Sequence, residues 1–362
     1  MVAPRRVGGG AATARDGRGT VTLEDIARTV GVSKSSVSRA LNQVPGGVTA
    51  AVAERVQRAA EELGYVPNAI AASLKHQRTK TVGLILPDLG NPFFALVAAG
   101  IEAEISDAGY TLLIANTAND HDREPVLTRT LLERQVDALL IASTGPSGAH
   151  LQLAVDRGVH VVMLDSHPRR LITDCVMADN RRGAADAIRH LLSLGHRDIA
   201  VITGQLANDS SAAERLDGVK RALRAANLSL PADRCISGDY TMASAEDGAL
   251  KLLGFAPRPT ALFVTNNLMT LGALRAIAEL GLSVPRDLSL VGFDDMDWYP
   301  VASPPITTVA QPAYAIGAQA AQRLLLRIRS SRRLKPEKIL LPTELIIRAS
   351  TGPAREGRRR RR

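Results

Sequence analysis

From Thr81 onward the chain alternates short, wholly apolar runs with longer amphipathic ones, and that alternation restricts it to few folds. Apolar runs at 82–87, 111–115, 138–142, 159–164, 199–203, 261–265 and 288–293 read as strands. Segments 93–108, 124–134, 151–157, 181–194, 212–225, 243–253, 269–280 and 314–329 carry helical spacing. Strands apolar on both faces and linked by helices form parallel sheets covered on both sides. The fold class expected is therefore α/β with doubly wound parallel sheets. In such sheets ligands bind outside the carboxyl ends of the strands. Polar and aromatic residues cluster there: Asn91, Phe93 and Phe94 after the first run, Asp165 after the fourth, Asn266 and Asn267 after the sixth, Asp294 and Asp295 after the seventh. Asp and Asn at such places also serve as helix caps and turn formers. Their recurrence at one end of successive strands favours a polar cleft.

With 362 residues the chain exceeds one compact core and calls for two or three domains. Its formal charge of +9 is unevenly placed. Arg5, Arg6, Arg15 and Arg18 lie before the first helical pattern, and Arg355 with the arginine run 358–362 lies at the far end. Residues 20–80 also carry an excess of base, while the long body from 81 to 352 is near neutral, which suits a small-molecule module more than a second nucleic-acid surface. Cys175 and Cys235 lack metal-ligand spacing and read as reduced, partly buried thiols. No apolar signal region and no membrane-length apolar run is visible, so the expectation is a soluble, cytoplasmic protein without membrane contact. Phosphate-binding glycine loops and nucleophile elbows are missing, and the seven histidines are scattered. No catalytic residue, metal site or cofactor is expected; His196 reads as a residue that orients the loop before a strand.

Ahead of the body, Thr22-Leu23-Glu24-Asp25 has the form of a capping box, followed by Leu23, Ile26, Ala27 and Val30 at helical spacing. Gly31 can take positive φ, and Ser33 caps a second helix with Val37, Ala40 and Leu41 facing inward. Two helices joined by so short a turn match a helix-turn-helix. Lys34, Ser35 and Arg39 lie off the apolar stripe, where base edges are read in this motif. Thr22, Ser33, Ser36, Ser38 and Asn42 are short polar groups suited to phosphates or caps. Thr49 opens a third helix with Val52, Val56, Ala60 and Leu63 on one face, ended by Gly64. A plain three-helix bundle with a solvated face is the other reading. The segment from Pro67 and Asn68 to Leu74 is too short to hold a helix alone. Either it folds against a second copy and a DNA minor groove, with Leu74 as an apolar wedge, or it is a linker with a buried leucine.

Taken together, these residues resemble the lac repressor/galactose repressor (LacI/GalR) family of bacterial transcription regulators, from about Thr20 to about Ser350. The resemblance rests on Thr22-Leu23-Glu24-Asp25-Ile26-Ala27, Gly31-Val32-Ser33, residues 37–42, Gly64 to Asn68, Asn91-Pro92-Phe93-Phe94, Asp179-Asn180 with Gly183, residues 194–200, Arg215 to Gly218, residues 291–295 and residues 304–308. It implies a basic tail at 1–19, a DNA-binding head at 20–67 and a hinge at 68–80. It also implies a periplasmic-binding-protein-like body, divided into one subdomain of residues 81–178 with 309–335 and another of 179–308 with 336–350, and a disordered Arg-rich tail at 351–362. The resemblance further implies a homodimer on a double-stranded, pseudopalindromic operator, with Asn68 and Leu74 in the paired hinge, and a small sugar-like effector. Effector positions carried over are Phe93, Phe94, Asp165, Arg215, Tyr240, Asn266 and Asp294. Arg215 can alternatively steady its helix through an ion pair, and Tyr240 can be a packed strand-end aromatic. Two departures stand out. The family often has Asn-Asp where this chain has Asn266-Asn267. Purine-binding members tend to carry a basic residue where this chain has Asp209. A solute-binding protein without regulatory role, an enzyme of the doubly wound class, and a corepressor-dependent or activating regulator are the alternatives.

Overall fold

Secondary structure follows the apolar periodicity closely in the computed structural model, which describes residues 21–42, 44–66, 78–143, 145, 148–167, 171–207, 209–330, 332 and 334–355. The chain divides into two units, 1–76 and 77–362. The hinge expectations at Asn68 and Leu74 lie outside the described residues.

In the first unit α1 (Leu23–Val30), α2 (Lys34–Leu41) and α3 (Ala50–Glu62) enclose one small core. The capping box at the start of α1 is present. Thr22 Oγ1 accepts from Asp25 N at 3.4 Å, and Thr22 N donates to Asp25 Oδ2 at 3.0 Å. Two otherwise orphaned amide groups are thereby satisfied. Gly31 ends α1 at φ 71°, a left-handed conformation that glycine adopts without Cβ strain. Arg55 of α3 donates to the Val30 carbonyl at 2.6 Å and so covers the end of α1. Ile26, Val37 and Val56 are fully buried where the three helices meet, whereas Leu63, expected on the inner face of α3, is exposed at its C-terminus.

The second unit holds two six-stranded sheets of matching strand order. The first is built from β1 (Thr81–Leu86), β2 (Thr111–Asn116), β3 (Ala138–Ile141), β4 (His160–Leu164), β5 (Asp174–Ala178) and β11 (Lys338–Leu341), in the order β2-β1-β3-β4-β5-β11, all parallel. The second is built from β6 (Ile199–Thr203), β7 (Cys235–Ser237), β8 (Ala261–Val264), β9 (Ser289–Phe293), β10 (Thr307–Ala310) and β12 (Glu344–Ile346), in the order β7-β6-β8-β9-β10-β12. Only β12 runs antiparallel there.

Helices α4 (Pro92–Asp107), α5 (Arg123–Glu133), α6 (Ala149–Asp156) and α11 (Ala313–Arg329) cover the first sheet. Helices α7 (Asn180–Ser193), α8 (Ser210–Ala225), α9 (Met242–Leu253) and α10 (Asn267–Glu279) cover the second. The central strands are buried on both faces, as their unbroken apolar sequences require.

The chain passes between these two lobes three times: from β5 to α7, from β10 to α11, and from β11 to β12. The first passage lies between Ala178 and Asn180. The second falls two residues later than expected, because Val309 and Ala310 still belong to β10. The third is a correction. Residues 336–341 were expected in the second lobe, but Lys338 to Leu341 pair with Cys175 to Ala178 and extend the first sheet. His196 lies before β6, and its bond to Gly352, with those from His190 to Thr351 and from Ala354 to Leu194, joins residues that were expected in a disordered tail to the body. Its Nδ1 contacts Thr260 Oγ1 at 2.9 Å, and its Nε2 contacts Ser289 Oγ and the Gly352 carbonyl, each at 3.0 Å. Burial pulls its pKa down, favouring the neutral ring.

Candidate functional site

The carboxyl ends of both sheets open onto a common cleft of about 580 Å³, its open mouth included. All seven effector positions expected from the sequence line it: Phe93, Phe94, Asp165, Arg215, Tyr240, Asn266 and Asp294. The sequence reading missed Asp88, Asn119, Ser166, Ser211 and Gln311, and singled out Asp209 without placing it in the cleft. Most of these also follow strand ends, so the strand-end rule that picked out Phe93, Phe94, Asp165, Asn266 and Asp294 could have found them, whereas Arg215 and Tyr240 were reached only through the family resemblance. Gln311 follows β10, a strand the sequence reading did not include.

Arg215 on α8 is 4% exposed. Its Nε donates to Asn180 Oδ1 and its Nη1 to the Thr265 carbonyl, both at 2.7 Å. Its guanidinium lies 4.1 Å from the centroid of the Phe293 ring. None of these partners is a carboxylate, so a helix-steadying ion pair does not explain the residue. The arrangement fixes a planar donor group at the cleft wall.

Three carboxylates face that one cation. Asp294 accepts from Gln311 Nε2 at 2.5 Å and from the Asn267 amide at 3.3 Å. Burial raises its pKa, and Arg215 opposes the shift. Asp209 caps α8 through the Ser211 and Ala212 amides at 2.7 and 3.3 Å, and its other oxygen accepts from the Tyr240 hydroxyl. Burial and the Asp209 charge hold the Tyr240 phenol protonated. Gly204 makes room for this ring, since a Cβ there would sit 2.0 Å from Tyr240 Cζ. Asp165 is half-buried as a residue, but its Oδ1 is sealed from solvent with no hydrogen-bond partner. Desolvation pushes its pKa up to about 7, aided by Asp209 and Asp294 and opposed by Arg215. Gln311 Oε1 is also buried without a partner. Two residues that line the cleft thus carry sealed acceptors with no hydrogen-bond partner among the described residues.

The apolar wall comes from α4. Phe93 and Phe94 meet edge to face with ring centroids 5.1 Å apart, and both are largely sunk in the lobe core. Asn266 is partly a structural residue, as its strand-end position allowed: its Oδ1 caps α10 by accepting from the Leu268 and Met269 amides at 2.9 and 3.2 Å. Backbone strain gathers in the same place. Asn119, Asp165, Tyr240 and Asp294 hold φ values of 60°, 55°, 66° and 67°. Non-glycine residues in this region are uncommon and concentrate at functional sites. Hydrogen bonds span the lobes beside the cleft, from Ser211 Oγ to the Asp165 carbonyl at 2.5 Å and from the His167 amide to Ser210 Oγ at 3.0 Å.

On the head, Lys34, Ser35 and Arg39 of α2 are exposed together. Lys34 Nζ donates to Glu24 Oε1 at 2.7 Å, an exposed pair of the kind that holds weakly. Ser33 caps α2 through the Ser36 amide at 3.1 Å, and its hydroxyl contacts those of Ser35 and Ser36 at 2.8 Å each. Asn42 closes the same helix by donating to the Ser38 carbonyl at 2.7 Å. Thr22 and Ser33 are therefore caps in the free head, with exposed side chains. Among the described residues no cluster of metal-ligating side chains occurs, and no helix is long and apolar enough to cross a membrane.

Comparison with known proteins agrees with this geometry. Residues 22–68 match the bacterial regulatory proteins of the lacI family, and residues 188–351 match the periplasmic binding protein-like domain. The chain is 37% identical over 309 residues to the HTH-type transcriptional repressor PurR of Aliivibrio salmonicida, covering 85% of this chain and 92% of that protein. It is 34% identical to catabolite control protein A of Priestia megaterium, covering 91% and 99%. Among solved structures it resembles the lac repressor dimer bound to operator and the anti-inducer ONPF, with TM-score 0.83 and 29% identity over 92% of this chain and all of that one. It also resembles the transcriptional regulator CelR–cellobiose complex, with TM-score 0.69 and 33% identity over 91% of this chain and 99% of that one. An exposed polar face on α2, a two-lobed cleft and similarity to named repressors over most of its length lead to one conclusion: the chain belongs to the lacI family of bacterial regulatory proteins.

Proposed function

We propose that this chain is a transcriptional repressor. It binds a pseudopalindromic operator as a homodimer in the cytoplasm and is controlled by a small, uncharged, hydroxyl-rich effector of the sugar class. Lys34, Ser35 and Arg39 read bases, Thr22, Ser33, Ser36, Ser38 and Asn42 position the head on phosphates, and Asn68 and Leu74 act in the paired hinge. No catalytic step is assigned to the cleft.

The observation that carries the effector reading is the pair of sealed, unsatisfied acceptors, Asp165 Oδ1 and Gln311 Oε1, beside the fixed donor Arg215. A ligand that fills this site brings hydroxyl donors to the acceptors and a hydroxyl oxygen to the guanidinium. Asp165, Asp209 and Asp294 repel phosphorylated or carboxylated ligands. The carboxylate at Asp209, spent on a helix cap and on Tyr240, leaves no basic group there for a purine. Phe93, Phe94 and Tyr240 supply flat apolar faces for a ring. The cellobiose bound in the CelR complex and the ribose bound in a LacI-family regulator from Enterococcus faecium belong to the same chemical class. A thermal-shift panel of neutral sugars, sugar phosphates and nucleosides tests the reading. It predicts stabilisation by a neutral sugar and none by its phosphate; stabilisation by phosphates or nucleosides alone contradicts it.

A further inference from the structure

The chain's departure at Asn267 has a structural counterpart. Asn267 is 1% exposed, opens α10 in the second lobe, and is not among the residues lining the cleft. Its Nδ2 donates to Asn91 Oδ1 at 2.8 Å, and Asn91 caps α4 in the first lobe. Both amides are oriented by main-chain donors. Asn91 Oδ1 accepts from the Phe93 amide at 3.0 Å, and Asn267 Oδ1 accepts from the Leu268 amide at 2.5 Å. Asn267 must therefore present its amino end, and Asn91 its oxygen, to the other lobe. The same amino end lies 3.2 Å from Met296 Sδ, and the Asn267 amide donates to Asp294 Oδ2 at 3.3 Å. One residue thus touches the opposite lobe and the acidic wall of the cleft at once.

We infer that Asn267 is a positioning residue that ties the N-termini of α4 and α10 together across the lobes. It holds the walls bearing Phe93, Phe94 and Asn266 at the spacing seen in this structure through a bond that needs no effector. The functional consequence rests on the effector reading above: a cleft whose walls are already tied loses less affinity to the closing step. The bond itself does not depend on that reading. An aspartate at 267 would place an acceptor against the Asn91 oxygen, which the Phe93 amide already fixes as an acceptor, and a second charge beside Asp294. Its local effect on α10 is opposite in sign, since a carboxylate in the first turn of a helix is stabilising. A purely local role, with that second charge weighed against the helix end, predicts that any change in exchange caused by Asn267→Asp stays within residues 266–270 and leaves 88–95 unchanged.

Hydrogen exchange read by mass spectrometry on the ligand-free full chain decides between the two. Asn267→Asp should raise exchange in residues 88–95 and 266–270 roughly tenfold, the loss expected when a buried donor–acceptor pair becomes two acceptors. Asn91→Asp keeps the acceptor for both the Phe93 amide and Asn267, and should leave exchange near the wild-type value. The double variant should open both segments further than either single change. Unchanged exchange in 88–95 for Asn267→Asp, or an equal rise for Asn91→Asp, would overturn the tie. Neither result needs an effector, so failure here is distinct from failure of the sugar reading.

Discussion

Asp165 shows how much one residue can set. It follows a parallel strand, holds a left-handed φ of 55°, and keeps one carboxyl oxygen sealed and unpaired. Its pKa rises to about 7, chiefly through burial. A raised carboxyl pKa means that the folded chain holds this proton after the unfolded chain has lost it. Stability therefore falls as pH rises from the ordinary aspartate range toward 7, and the whole cost is present above 7. Asp165→Asn removes that cost. The variant should be more stable than the wild type at pH 8, by on the order of 2 kcal/mol, and close to it at pH 4. Denaturant unfolding at the two pH values measures this; equal pH slopes for the two proteins would mean that Asp165 ionises freely. At this scale the sequence was legible wherever a residue follows a strand visible as an apolar run. Asn266 combines the two readings open to it, since its oxygen is a helix cap and its position is in the cleft wall. Asn267 was legible as a strand-end polar residue and as a departure from the family, but it lies outside the cleft lining, and its bond was not legible because Asn91 lies far away along the chain.

Among elements, the long helices and central strands were legible because each carries its period in its own residues. The strands that the apolar-run reading left out are β5, β7, β10, β11 and β12. β7 and β12 have three residues each, β10 opens with two threonines, and β11 is a partly exposed edge. β5 is fully buried yet begins with Asp174, whose charge is met by Arg323 and Arg327 from α11 and by the Glu337 amide. Burial of that kind depends on distant partners and leaves no local pattern. The loss of β10 hid Gln311, and the loss of β11 displaced the third lobe crossing. Helix packing gives a direct test. A Cβ on Gly100 of α4 would stand 2.1 Å from the Tyr314 carbonyl, and one on Gly317 of α11 would stand 2.0 Å from the Val97 carbonyl. The two helices therefore cross backbone to backbone. Gly100→Ala should lose about 2 kcal/mol despite the better helix propensity of alanine. An unchanged urea midpoint would show that the helices can part freely. At the hinge, Leu74→Ala should weaken operator binding about tenfold or more while leaving effector binding intact. Paired DNA and ligand titrations check this, and equal loss of both would point to misfolding.

At the scale of the whole molecule, the two sheets repeat one strand order, and three chain passages join them. Each places polar strand ends at the shared cleft, so a ligand touching both lobes has differential affinity for their closed arrangement, which a regulator requires. The charge reading also belongs here. The excess of base lies in the head and at the two ends of the chain, while the body that holds the cleft is near neutral. The account's central claim is that filling this cleft changes DNA occupancy. Fluorescence anisotropy of the full-length protein on the DNA upstream of its own gene, with and without a neutral sugar that raises its melting temperature, measures that directly. The account predicts a change in operator affinity of about tenfold, within the usual range of allosteric coupling, and its loss in Asp294→Ala. A sugar that stabilises the protein yet leaves operator affinity unchanged would contradict it.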